Sequence, residues 1–416
     1  MKKTTFSQYD IDNASILFLS GIRKDHTNIF RFTMTLTEDI CPQTLQKAVD
    51  RVYRRFPTVI ASIYPGFFRY LQVPVKEPPQ VQKDPGCLLT MSWKELRRCG
   101  FRVYYTGKDI SIEAFHALTD GYGAIACFTT LMAEYLRMKY GVQIPVSCSL
   151  VDTEQSPMLS ELEDSFLNYE NGQPLHLPCR YSYQLPGGAE ERKSIYISNL
   201  QIPITRILDA AHRHGVSVTA LISTVMAASV MEVQQQHCSA GREKPVRIMV
   251  PVDLRRLFPS RTLRNFTLYA MPTLEPQDHR KPIAELLHSF SRQMKEHLDK
   301  KTLSSIMSYN VSMQRSWYFR MIPLAIKCAI LRLVCHFFGE SNSSITVTNL
   351  GNVKLPEEMS PYVSHMDVML TPRIRSPYNC AVLSYKGILS INVSRFPQKT
   401  ELEERFFRNL QAVMQE

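Results

Sequence analysis

The chain has no Cys-x-x-Cys pair. Its ten cysteines stand alone at positions 41, 87, 99, 127, 148, 179, 238, 328, 335 and 380, so a zinc ribbon or a dithiol redox centre lacks its usual ligands. There is no glycine-rich phosphate loop of the Walker or dinucleotide type, and nucleotide hydrolysis and nicotinamide chemistry lose their usual cradle. The opening MKKTTFSQYDIDNASILFLS is basic at its tip but has no apolar stretch of signal-peptide length ending in small residues. Reduced thiols and a cytoplasmic location are the expectation. His212 and His214 fall at the end of a helical pattern and read as surface, so no metal site is expected. The longest apolar run, WYFRMIPLAIKCAILRLVCHFF (317–338), is interrupted by Arg320, Lys327 and Arg332. Those charges argue against a bilayer-crossing helix. A buried helix is the first expectation for this run and a surface-lying amphipathic helix the second.

Acidic residues are the scarcer charge, 38 against 49 Lys and Arg, for a net +11. Such a balance favours anionic partners, among them phosphate-bearing substrates, nucleic acid and acidic membrane. Nucleic-acid binding would rest on charge alone and is not expected. With 44% apolar and 21% charged residues, the composition is that of a globular protein. A length of 416 residues suggests two domains of roughly 200 each.

Strand and helix patterns alternate along both halves. TNIFRFTMTLTEDI (27–40) reads as strand, and PQTLQKAVDRVYRRF (42–56) as a helix opened by Pro42 and stopped by Pro57. FRVYYT (101–106) and DISIEAF (109–115) flank Gly107-Lys108 as a tight hairpin, and 122–141 reads as helix. Regularity fades between about 148 and 188. A second series follows: strands at 193–203, 244–256, 344–351 and 380–396, and helices at 204–215, 218–236, 281–300 and 400–414. This is an α/β chain, divided as a first lobe 1–165, a crossover linker 166–190 and a second lobe 191–416.

The chemistry-bearing stretch is ISIEAFHALTDGYG (110–123). Period-two alternation puts His116 on the side of Ile110, Ile112 and Ala114, facing either core or cleft. Asp120 directly precedes a helix and is a natural N-cap, while Gly121 and Gly123 allow close approach of another segment. A buried histidine beside a capping aspartate would explain the stretch; so would a catalytic base held at a strand end.

The pattern resembles the His-x-x-x-Asp-Gly signature of the chloramphenicol-acetyltransferase-like superfamily of CoA-dependent acyltransferases and condensation domains, filled here by His116, Asp120 and Gly121. VPVDLRRLFPSRTLRNF (250–266) is similar to the family's Pro-x-Asp-x-Arg loop followed by Asn-Phe, and TVTNLGNVKLP (346–356) to its Asn-Leu-Gly strand end. Phe115 stands where condensation domains and wax-ester synthases carry a second histidine. The C-terminal Asp-Phe-Gly-Trp-Gly of the BAHD enzymes is absent, and no carrier domain is evident. The alcohol-acetyltransferase-like branch fits best.

The resemblance implies two lobes, each a mixed sheet covered by helices, with the site in a channel between them. It implies transfer of an acyl group from acyl-CoA, a co-substrate and not a resident cofactor, to a hydroxyl of a small or lipid-like acceptor. An amine acceptor, a carrier-protein thioester donor, or a non-catalytic acyl-binding protein on the same scaffold are the alternatives. His116 becomes the general base. Asp120 becomes a structural carboxylate paired with Arg255, the neighbouring Arg256 being the other candidate. The oxyanion and cleft candidates are Gly121, Asn265, Thr348 and Asn349, and the arginines for the donor's phosphates are Arg261, Arg264, Arg373 and Arg375. A monomer is expected, and contact with a membrane surface through 317–338 as an interfacial helix stands as a lesser alternative.

Overall fold

The computed structural model describes residues 8–12, 14–23, 26–146, 150–169, 173–175, 180–187, 194–239, 241–334 and 342–415. Along the first half run β1 (Tyr9–Asp10), α1 (Ser15–Ser20), β2 (Ile29–Leu36), α2 (Pro42–Val52), β3 (Ala61–Pro65), β4 (Tyr70–Pro74), β5 (Val81–Lys83), α3 (Trp93–Leu96), β6 (Phe101–Thr106), β7 (Asp109–Phe115), α4 (Gly121–Tyr140) and α5 (Leu159–Leu162). Then come β8 (Tyr196–Pro203), α6 (Ile204–Arg213), α7 (Val218–His237), β9 (Val246–Asp253), β10 (Thr267–Ala270), β11 (Thr273–Leu274), α8 (Ile283–His297) and α9 (Lys300–Arg315). The chain ends with α10 (Trp317–Met321), α11 (Leu324–Val334), β12 (Ile345–Asn352), β13 (Val363–Leu370), β14 (Tyr378–Tyr385), β15 (Ile388–Arg395) and α12 (Glu401–Gln415).

Two larger sheets organise these elements. One has the order β13-β2-β7-β6-β5, the other β10-β9-β12-β14-β15-β8 with β11 also on β9; β1, β4 and β3 form a small third sheet. The expected hairpin forms, with Thr106 opposite Asp109 and Gly107 at φ +52°. The hairpin lies inside the sheet, β7 flanked by β2 and β6, and β6 by β7 and β5. Glu113 on β7 is therefore buried, and it pairs with Arg31 at 2.7 Å and Arg102 at 3.0 Å.

The stretch 191–416 does not stay in one sheet. β13 crosses to pair with β2 through a register running from Val363 opposite Leu36 to Leu370 opposite Phe30. Alternation along β14 then serves both cores. Cys380 and Val382 pack with α6, α7, α8 and α12, while Ala381 and Leu383 join β2, β13, α2 and α4. The interval 166–190 lies partly outside the described residues, as do Cys148, Cys179 and Cys335. Its start is not loose, since Phe166 is buried against Leu254, Phe258 and Phe266.

The run 317–338 is not one buried helix. It is described to residue 334, and Pro323 divides it into α10 and α11. Among the residues of this run whose burial is described, only Leu324, Lys327 and Cys328 on one turn of α11 are buried, while Trp317, Tyr318, Met321, Ile326 and Ile330 are exposed. No single helix among the described residues is long and apolar enough to cross a membrane.

Candidate functional site

β7 ends at Phe115, but the ladder continues one step, because the His116 amide donates to the Asn28 carbonyl at 2.9 Å. That bond fixes the backbone from which the imidazole projects. The ring stacks on Phe18 of α1, with centroids 4.2 Å apart and planes 16° from parallel, and meets Phe30 edge-on at 5.0 Å. The residue as a whole is half-buried, yet Nδ1 is buried and has no hydrogen-bond partner. Nε2 is thus the ring nitrogen left towards the accessible side. Burial holds the imidazole below the usual histidine value, against the opposing pull of its own backbone carbonyl, the Asp120 carboxylate, Asn265 and Asp12.

Asp120 caps α4 by accepting from the Gly123 amide at 3.2 Å. Its other oxygen accepts from Arg255 Nη1 at 2.8 Å and from the Phe266 amide at 2.9 Å. Each carboxylate oxygen is thereby engaged, and Asp120 is a structural group. Arg255, not Arg256, is the partner; Arg256 is exposed. The Arg255 guanidinium also reaches Asp253 at 2.9 Å and the carbonyls of Thr262 and Arg264, and lies 4.5 Å from the Tyr122 ring centre. Burial alone would lower its pKa, but the Asp120 and Asp253 carboxylates raise it.

The tightest approach is at Gly123. A Cβ there would lie 2.1 Å from the Leu263 carbonyl oxygen and 2.3 Å from Thr119 Oγ1, and that hydroxyl already donates to the same carbonyl at 2.6 Å. At Gly121, by contrast, a Cβ would meet only Leu350 Cδ2, at 2.8 Å. The 254–266 segment and the end of β12 therefore both close on the histidine loop.

Asn265 differs from its expected role. Both protons of its amide are committed, one to the His116 carbonyl at 3.0 Å and one to Ser15 Oγ at 3.1 Å, so it has no donor left for an oxyanion. Ser15 in turn donates to the Ala117 carbonyl at 2.7 Å and lies 2.5 Å from Asp12 Oδ1. Burial raises the Asp12 pKa, opposed by Arg264, Ser15 and Asn265. Asp12, Ser15 and Phe18 are neighbours of the histidine loop that the sequence did not single out. Asp-x-x-Ser ahead of the apolar SILFLS was the available signal, a helix-start pattern.

Thr348 Oγ1 is buried without a hydrogen-bond partner. Asn349 is a turn-former, its Nδ2 donating to Thr219 Oγ1 at 3.0 Å and its Oδ1 accepting from the Gly351 amide at 2.8 Å. Among the arginines, Arg261 is exposed, and Arg373 and Arg375 are half-buried, with Arg373 Nη2 donating to Ser343 Oγ at 2.6 Å. Arg264 turns inward. It is buried on the carbonyls of Asp10 and Leu162, 3.8 Å from Asp12, which removes it from any contact with a solvent-borne phosphate. No group of three or more His, Cys, Asp or Glu among the described residues is placed to hold a metal ion.

The site thus consists of one imidazole on a loop held from below by Asn265 and Ser15 and from behind by Asp120 and Arg255, with Leu350 of β12 against Gly121. No family model and no curated protein sequence matches the chain. Solved structures do. Polyketide synthase associated protein 5 from Mycobacterium tuberculosis is 13% identical with a TM-score of 0.66, covering 99% of this chain and 98% of that one. The first condensation domain of the CDA synthetase is 14% identical with a TM-score of 0.61, covering 99% and 97%. A trichothecene 15-O-acetyltransferase from Fusarium sporotrichioides is 10% identical with a TM-score of 0.61, covering 98% and 94%. The chain has the two-lobed α/β fold of CoA-dependent acyltransferases and condensation domains, as the histidine-loop resemblance implied.

Proposed function

We propose that this protein transfers an acyl group from a thioester, with acyl-CoA as donor, to the hydroxyl of a small or lipid-like acceptor, and that His116 is the general base. The observation that carries this reading is the His116 imidazole itself: partly accessible, held below the usual histidine value by burial, and fixed through its own backbone by the Asn28 carbonyl and the Asn265 amide. An alcohol attacks poorly until its proton is taken, and a neutral imidazole at cytoplasmic pH can take it. Nε2 accepts the hydroxyl proton as oxygen attacks the thioester carbonyl. The C–O bond forms and the carbonyl becomes an oxyanion, for which Thr348 Oγ1 and the Gly121 amide at the positive end of α4 are the candidate donors. Collapse breaks the C–S bond, and the proton passes from Nε2 to the leaving sulfur. No covalent intermediate is needed. Arg261, Arg373 and Arg375 are the candidates for the donor's phosphates.

The likeness to an O-acetyltransferase and to a condensation domain is equal, at TM-score 0.61 each. A carrier-protein thioester and an amine acceptor are therefore the second reading. Free-thiol release from a panel of acyl-CoAs, offered alcohols and amines in parallel, separates the two. His116→Ala is expected to lower turnover roughly 10²–10⁴-fold while CoA binding and thermal unfolding are kept. Turnover equal to that of the parent would overturn the base assignment. CoA binding with no thiol release from any donor would make the protein an acyl binder.

A further inference from the structure

Several large apolar side chains of α10 and α11 are exposed. Trp317, Tyr318 and Met321 of α10 are 77, 61 and 63% exposed, and Ile326 and Ile330 lie one turn apart on the outer side of α11. The β3–β4 turn adjoins them: the Leu324 amide donates to the Phe67 carbonyl at 2.7 Å and Lys327 Nζ to the Phe68 carbonyl at 2.9 Å. Phe67 itself is 73% exposed. Apolar side chains from two separate segments thus form one outward-facing patch, which a soluble surface seldom leaves bare.

Charge identifies the occupant. Residues 300–334 contain Lys300, Lys301, Arg315, Arg320, Lys327 and Arg332 and not one Asp or Glu. Arg320 and Arg332 are exposed on the same two helices. A second copy of this chain would bring like charge against like charge. An anionic lipid surface complements both properties at once, since Trp and Tyr favour the headgroup layer and arginines favour lipid phosphate. The exposed apolar and basic side chains sit on two short helices, α10 and α11, the geometry of elements that lie on a bilayer surface.

The position of the patch connects it to the histidine. Arg332 Nε of α11 donates to the Ser20 carbonyl at the end of α1 at 3.2 Å, and Phe18 of α1 stacks on His116. One short helix separates the patch from the imidazole. We propose that α10, α11 and the β3–β4 turn dock this protein on anionic lipid bilayers, with Phe67, Trp317, Tyr318 and Met321 entering the headgroup region and Arg320 and Arg332 meeting lipid phosphates.

The test uses the full chain and extruded vesicles of phosphatidylcholine with or without phosphatidylglycerol, read by co-sedimentation. The parent is expected to bind the phosphatidylglycerol vesicles, to release as sodium chloride rises, and to leave pure phosphatidylcholine largely unbound. Trp317→Ser combined with Met321→Ser should weaken partitioning about tenfold or more. Arg320→Glu should weaken it by roughly fivefold or more. All three side chains are exposed, so thermal unfolding should not move. Absence of binding by the parent, or equal binding by the variants, overturns the proposal. So does a dimer in sedimentation velocity that Trp317→Ser dissociates, because a second copy would then cover the face. The readout is binding, so its failure leaves the acyl-transfer reading to be judged separately by thiol release from water-soluble acceptors.

Discussion

Asn265 holds the His116 carbonyl at 3.0 Å from a position 149 residues further along the chain. The same amide holds Ser15, so one side chain ties the second half of the sequence to the histidine loop and to the N-terminal helix. Asn265→Ala, at a fully buried position, would leave the half-buried His116 carbonyl and the buried Ser15 hydroxyl each short of a donor. An expected loss of about 1–3 kcal/mol in urea unfolding follows. Because Asn265 touches the loop backbone and not the ring, kcat should fall while KM stays close to the parent value. A fall in stability with kcat unchanged would reduce Asn265 to a packing residue.

The Asp120–Arg255 pair is buried on both sides, with side chains 2% and 6% exposed. Asp120→Ala removes the N-cap of α4, the acceptor for the Phe266 amide and one of two carboxylates on Arg255. Breaking a buried pair from one side typically costs about 3–5 kcal/mol. Arg256→Ala, one residue away but exposed, should stay within about 0.5 kcal/mol. Chemical denaturation of the two variants side by side checks this, and similar costs would contradict the assignment of Arg255.

The separate roles of these two arginines were only partly legible in the sequence. Spacing alone left Arg255 and Arg256 open; the resemblance favoured Arg255, and geometry separates them because only one points back into the 262–266 turn. His116, Asp120 and the strand–hairpin–helix order around them were readable because each rests on local alternation and a local cap. β13 was not readable. VSHMDVML carries Ser, His and Asp within a strand whose sheet lies across the molecule, so its pairing with β2 leaves no local mark. α9 escaped for a related reason: Ser, Asn, Thr and Val are weak helix formers, and what stabilises it is Leu303, Met307 and Val311 packed on Phe166 and Phe266. Asn265 read as an oxyanion donor because residue type shows that an amide is present and not what it already touches.

Gly121 fills the signature position, yet Gly123 is the more constrained glycine. Gly123→Ala would drive a methyl against the Leu263 carbonyl and the Thr119 hydroxyl, neither of which can rotate away while their mutual bond persists. Overpacking of this kind costs about 1–3 kcal/mol or more, and here it would also push the 262–266 turn off the histidine loop. Gly121→Ala meets only the end of a leucine side chain and gains helix propensity worth up to about 1 kcal/mol. It should fold near parent stability. Thermal melts of both variants decide the ranking, and a reversed order would mean that the 262–266 turn shifts more freely than its hydrogen bonds imply.

Burial lowers the His116 pKa, Phe18 and Phe30 being packed against the ring, and the sign of two pH effects follows. The native ring binds a proton less readily than the unfolded chain, whose histidine titrates near 6.5. Above that value the ring is neutral in both states, and its contribution to stability is fully present. As pH falls below it the unfolded chain takes up the proton first, so the contribution declines towards the lower native pKa. The acid limb of kcat/KM should likewise lie below 6.5, since it reports the base in the free enzyme. Phe18→Ala uncovers one face of the ring and should move that limb up towards the ordinary value. A parent limb at or above 6.5, or one that Phe18→Ala leaves in place, would mean that a group other than His116 takes the proton.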